Sequence, residues 1–151
     1  MTIEIPTETP EVGLNRLLTV TLLRIFSVYV LFLALCYWAA LVGFDPIASV
    51  FVNIPPRFDL MPIWWKIAVP ILAVLYPIAG ISLWMTARWA PVVWALVIFV
   101  ELVMSFGFPV LFGSRLLLLA LHIWGFAMFG ALRFLAHRDR LKARAAKQRV
   151  L

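Results

Sequence analysis

Four apolar stretches, set apart by short polar or proline-bearing segments, account for most of this chain. The first runs from Leu14 to about Val42, and the others from Ile63 to about Ala87, from Ala90 to about Phe108 and from Arg115 to about Leu135. A helix needs about 20 apolar residues to cross a hydrocarbon core of about 30 Å, and each stretch meets that length. The pattern predicts an all-α integral membrane protein, an antiparallel four-transmembrane-helix bundle with spans at about 22–42, 63–87, 90–108 and 115–135. Arg88-Trp89-Ala90-Pro91 and Pro109 to Ser114 are short connections, which make spans two, three and four antiparallel neighbours. Pro70 and Pro77 should kink the second span, each freeing a backbone carbonyl that must find another partner.

The segments between and beyond the spans are equally legible. Residues 1–13 hold three glutamates and two prolines without a periodic apolar pattern, which predicts a flexible cytoplasmic arm. Arg16 and Arg24 then snorkel towards the same interface. A cleaved secretory signal is disfavoured, because Ile25 to Val42 exceeds a usual apolar core and Leu35 stands where a lipoprotein site needs a small residue before Cys36. Gly43 to Pro62 is broken by Asp45-Pro46 and Pro55-Pro56 and reads as an external loop, with Ile47 to Ile54 lying flat in the interface. Residues 136–151 form a basic cytoplasmic tail.

Composition agrees, since 65% of the residues are apolar and only 13% charged, against about a quarter charged in ordinary soluble domains. The basic balance changes the picture more. Seven of thirteen Lys and Arg residues fall in the last nineteen positions, opposed only by Asp139. Beside an apolar span such a cluster is a topology determinant and a contact for anionic lipid head groups, through Arg138, Arg140, Lys142, Arg144, Lys147 and Arg149, and not a nucleic-acid site. With both termini inside, the cytoplasmic side carries Arg16, Arg24, Arg88 and the seven tail residues, against Arg57, Lys66 and Arg115 outside. The excess fits the positive-inside rule and predicts that both termini lie on the cytoplasmic side.

Ionisable groups inside spans are functional candidates by default. Glu101 lies seven residues before Phe108 and His122 seven after Arg115, so both sit roughly 10 Å below the outer surface and are expected to meet. Tyr37 and Lys66 lie at similar or shallower depth, giving a candidate polar layer of Glu101, His122, Tyr37 and Lys66, with Ser105 one turn from Glu101. In the outer loop Arg57 and Asp59 form a compact charged element suited to a head group, a partner's loop or an internal ion pair. Ala127 and Ala131, four apart, permit a close helix approach. One histidine and one carboxylate are too few for a zinc or iron site, and the single Cys36 excludes a disulfide or thiol dyad, so neither metal nor cofactor is expected. The absence of a Gly-rich phosphate loop, a nucleophile elbow and a pair of in-span histidines argues against an ATPase, a serine hydrolase and a haem subunit.

Tyr37-Trp38-Ala39-Ala40-Leu41-Val42-Gly43, Arg57-Phe58-Asp59-Leu60-Met61-Pro62, Trp89-Ala90-Pro91-Val92-Val93-Trp94 and Leu111-Phe112-Gly113-Ser114-Arg115 resemble segments of an uncharacterised family of small four-span inner-membrane proteins from alphaproteobacteria. The resemblance covers roughly Leu22 to Leu135 and implies the same fold and a bacterial inner membrane, with no activity or functional residues to transfer. By elimination, the expected function is that of a non-enzymatic accessory or scaffold protein touching other membrane or envelope proteins, or further copies of itself, in the lipid bilayer. The alternative is a small proton-coupled transporter, or a lipid- or small-molecule-binding protein, using Glu101 and His122.

Overall fold

The computed structural model describes residues 10–44, 52, 54–55, 58–113 and 115–149. Four long helices follow in chain order: α1 (Pro10–Val42), α2 (Ile63–Trp84), α3 (Ala90–Leu102), which continues through a π-helical turn at Val103–Gly107, and α4 (Leu116–Arg149). Single turns at Phe58–Leu60 and Pro109–Phe112 lie in the connections, and no strand occurs among the described residues. Each long helix contains a segment long and apolar enough to cross a membrane. This is a multi-pass membrane protein of the all-α class, its helices arranged as an antiparallel bundle.

The helix ends have local causes. Beyond α1, Gly43 adopts φ 81°, in the left-handed region that a glycine enters without a Cβ penalty, and the Phe44 amide closes on the Ala39 carbonyl at 2.8 Å. The last turn of α2 closes the same way at Thr86 (φ 52°), so the helix stops at Trp84, three residues before the expected Ala87. Pro91 falls in the first turn of α3, where its missing amide is no loss.

At the two ends of the chain, helix extends beyond the predicted spans. α1 starts at Pro10, inside the expected arm, whose first nine residues lie outside the described ones. α4 runs on to Arg149, making the basic tail a continuation of the fourth helix. Leu135 to Arg149 contains no glycine or proline and is rich in Ala, Leu, Lys and Arg, the strongest helix formers. Of the strip expected to lie flat outside, Val52 and Ile54 are buried in the core, and Ile47 to Phe51 and Asn53 lie outside the described residues, as does Arg57.

The helices pack around the bundle in chain order, α1 on α2, α2 on α3, α3 on α4 and α4 back on α1. Polarity is inverted relative to a soluble protein. Large apolar side chains such as Leu35, Val92, Val110 and Leu117 face outward, whereas Ser27, Ser82, Glu101, Ser105, Arg115 and His122 are buried. In hydrocarbon that is the stable arrangement, because each polar group needs a partner that lipid cannot supply.

Two glycines set the closest approaches. At Gly80 the Ser27 hydroxyl donates to the glycine carbonyl at 2.7 Å, and an added Cβ would lie 2.6 Å from Leu31 Cγ. At Gly125 the same Cβ would fall 2.1 Å from the Phe26 ring. These positions do what Ala127 and Ala131 were expected to do; both alanines are exposed on the outer face of α4. An apolar groove of about 450 Å³ runs between α2 and α3, lined among others by Trp64, Ile71, Phe99 and Val103.

Candidate functional site

A carboxylate in the third span is the most demanding residue of the bundle, and the fold gathers its partners from α1, α2 and the residue just before α4. Glu101 sits in the last turn of α3, its side chain fully buried. Tyr37 of α1 donates its hydroxyl to Glu101 Oε1 at 3.0 Å, and Tyr76 of α2 donates to the same oxygen at 2.7 Å. Arg115, immediately before α4, places Nη1 2.9 Å from Oε2, an ion pair that falls outside hydrogen-bond alignment. Its Nη2 donates to the Tyr37 hydroxyl at 2.6 Å. The ring closes on itself.

Aromatic faces surround this network. The Tyr37 and Tyr76 rings stack with centroids 5.0 Å apart, and the Arg115 guanidinium lies 5.7 Å from the centroids of both Tyr37 and Trp65. Trp65 is held by its own indole N–H, which donates to the Leu111 carbonyl at 3.1 Å. Guanidinium suits such a slot, because its weakly hydrated plane accepts aromatic faces while its edges serve the carboxylate. Just beyond Glu101 the backbone widens into the π-helical turn, which buries Met104 and Ser105. The Ser105 hydroxyl has no hydrogen-bond partner within the protein.

The expected polar layer forms only in part. Tyr37 and Glu101 meet, but Glu101 makes neither a hydrogen bond nor an ion pair with His122 among the described residues. His122 turns its Nδ1 to the Leu118 carbonyl one turn back, at 3.0 Å, and packs its ring against Tyr29 and Tyr76. Tyr76 thus touches both groups that equal depth had paired. Lys66 is half-buried in the first turn of α2 and joins none of these contacts. The physical reason is that Arg115 enters the bundle, instead of flanking it as an outer-surface charge, and satisfies the carboxylate first.

Arg115 and Tyr76 are the residues that sequence reasoning missed. A signal existed: all three tyrosines lie inside spans, where a hydroxyl must find a partner, and a buried carboxylate calls for a cation within reach. Elsewhere, Asp59 is exposed in the turn at Phe58–Leu60, and Arg138, Arg140 and Lys142 are exposed along the end of α4. The side chains of Arg144, Lys147 and Arg149 lie outside what the structure describes. No group of three His, Cys, Asp or Glu residues able to hold a metal occurs among the described residues.

Four helices closed around one carboxylate would be a common solution in unrelated proteins, so relationship rests on sequence. A family model, Family of unknown function (DUF6163), matches residues 17–140. The chain belongs to that family. The match spans the four helices together with Glu101 and its three partners, so the network lies inside the part of the chain that defines DUF6163. No curated protein and no solved structure matches it.

Proposed function

We propose that this DUF6163 protein is a non-enzymatic accessory or scaffold protein of a bacterial inner membrane, with both termini in the cytoplasm, acting through contacts with other membrane or envelope proteins or with further copies of itself. One observation carries the reading: Glu101 is fully buried and its partner Arg115, just before α4, nearly so, while α1 and α2 each spend a tyrosine on holding them. A transport cycle needs water to reach its titratable group, and a sealed carboxylate serves instead to fix four helices in one arrangement. The outward surface is apolar, and the groove between α2 and α3 gives a partner's helix a place to pack. The orientation is supported by the ten basic residues that map to one side.

A second reading has one observation in its favour. His122 Nε2 is buried with no hydrogen-bond partner among the described residues, which leaves one ring nitrogen available to exchange a proton with a water that reaches it. Both readings are tested with the intact protein. A photo-crosslinking residue at Phe99, which faces outward in the groove, should yield protein adducts of discrete mass in native membranes. The purified protein in liposomes should pass no more protons than protein-free liposomes. Proton flux abolished by His122→Gln, with only lipid adducts at Phe99, would overturn the scaffold reading in favour of the transporter.

A further inference from the structure

A second polar site lies at the opposite end of the bundle from Glu101. Between the start of α1 and the later part of α4 is a cavity of about 340 Å³. Three arginines line it, Arg16 from α1 and Arg133 and Arg140 from α4, together with one carboxylate, Asp139. None of the three forms an ion pair with Asp139 among the described residues. Arg133 is instead steadied over the Phe129 ring, 5.4 Å from its centroid. Charges of both signs therefore line one cavity without a direct ion pair between them among the described residues.

Two further side chains make this more than a charged patch. Asn15 Oδ1 is buried there and has no hydrogen-bond partner, while the residue's own carbonyl is taken by the Thr19 hydroxyl at 2.8 Å. Thr86 comes from the turn after α2, where the Ala87 amide bonds the Ser82 carbonyl and the Thr86 amide bonds the Leu83 carbonyl, each at 3.0 Å. Glycine is the usual residue at this left-handed position, and a β-branched side chain adopts it against its own sterics. What threonine adds there, in return for that strain, is a hydroxyl on the cavity wall.

We propose that this cavity binds the phosphoethanolamine head group of a membrane phospholipid. The phosphodiester meets Arg16, Arg133 and Arg140, with the Thr86 hydroxyl donating to it, and the ammonium meets Asp139 and Asn15 Oδ1, which only accept. Val20, Leu23 and Ala136 complete the lining with apolar surface, and Leu17 and Phe134 are exposed on the same two helices, where acyl chains would run. A head group with a phosphate and no cation, even one whose hydroxyls bond Asn15 Oδ1, would leave the Asp139 charge without a counter-charge. The site shares Asp139 and Arg140 with the basic tail but adds Asn15, Arg16 and Thr86 from outside it, and so distinguishes head groups where the tail's general attraction to anionic surfaces does not.

The test uses the full chain, delipidated in detergent, with added phosphatidylethanolamine, phosphatidylglycerol or inorganic phosphate as probes, and binding read by native mass spectrometry and thermal shift. Phosphatidylethanolamine should bind more tightly than phosphatidylglycerol. Arg16→Gln with Arg140→Gln should weaken it by at least about tenfold, and Asp139→Asn should abolish the preference between the two lipids. Thr86→Gly supplies a variant whose folding is not in question: without lipid it should melt higher than the parent, yet bind phosphatidylethanolamine more weakly. Equal binding of both lipids by the parent, unchanged binding in the arginine variant, or full competition by inorganic phosphate would each overturn the proposal.

Discussion

Trp38 donates its indole N–H to the carbonyl oxygen of Ala73 at 3.0 Å. That oxygen is four residues before Pro77, so it is the one the proline ring deprives of its helical amide. A side chain on α1 thereby completes the backbone of α2. Trp38→Phe is expected to destabilise the protein by about 1–3 kcal/mol, the cost of an unsatisfied buried carbonyl. In a Pro77→Ala background, where residue 77 supplies the amide itself, the same change should cost much less. Equal losses in both backgrounds, measured by thermal unfolding in detergent, would show that the indole contributes by packing alone.

The Glu101–Arg115 pair should behave as a unit. Removing one partner leaves the other charge buried, which in proteins costs about 3–5 kcal/mol, while replacing both by apolar residues is often near neutral. Arg115→Met alone is therefore expected to unfold the protein at markedly lower temperature, and Glu101→Leu with Arg115→Met together to regain most of the loss. Glu101→Gln, which keeps shape but strands the guanidinium, should resemble Arg115→Met. An additive double mutant would refute the coupling.

Gly125→Ala is expected to cost about 1–3 kcal/mol, because its methyl must displace the Phe26 ring or drive α4 from α1. Phe26→Leu should rescue it in part. Ala127→Leu, on the exposed face of the same helix, should leave the melting temperature of the isolated protein nearly unchanged.

Orientation is checked with reporter fusions. An alkaline phosphatase moiety fused after Phe44 should be active, and one fused after Leu151 inactive. Activity at the second position would refute either the even number of crossings or the assigned sidedness.

Residues in long apolar runs were read correctly from sequence because a span needs only length and hydropathy, both local properties. Glu101 and Tyr37 were legible for a related reason: depth in a helix follows from counting residues at 1.5 Å each. Rotation about the helix axis does not, and depth alone could not say that Glu101 bonds Tyr37, Tyr76 and Arg115 while His122 turns to the Leu118 carbonyl. Arg115 could be placed at a span boundary by counting, but whether so long a side chain turns outward to head groups or inward to a carboxylate depends on neighbours from α1 and α2. Nothing local marked the π-helical turn either. The basic character of the tail was legible from composition, whereas its continuity with α4 rests on residues that are good helix formers with no glycine or proline to stop them.

The way Glu101 acquires its partners orders the birth of the protein. Tyr37 and Tyr76 precede it in the chain, so two hydroxyls are already in the bilayer when the third helix leaves the ribosome. Its cation follows fourteen residues later, at the mouth of the fourth helix. A lone carboxylate is costly within lipid, and the third helix should linger at the insertion machinery until Arg115 arrives. The last two helices then enter together as a hairpin. A nascent chain stalled with Gly107 clear of the ribosome and Arg115 still inside it should accordingly remain crosslinked to the translocon, and release only once Arg115 has emerged.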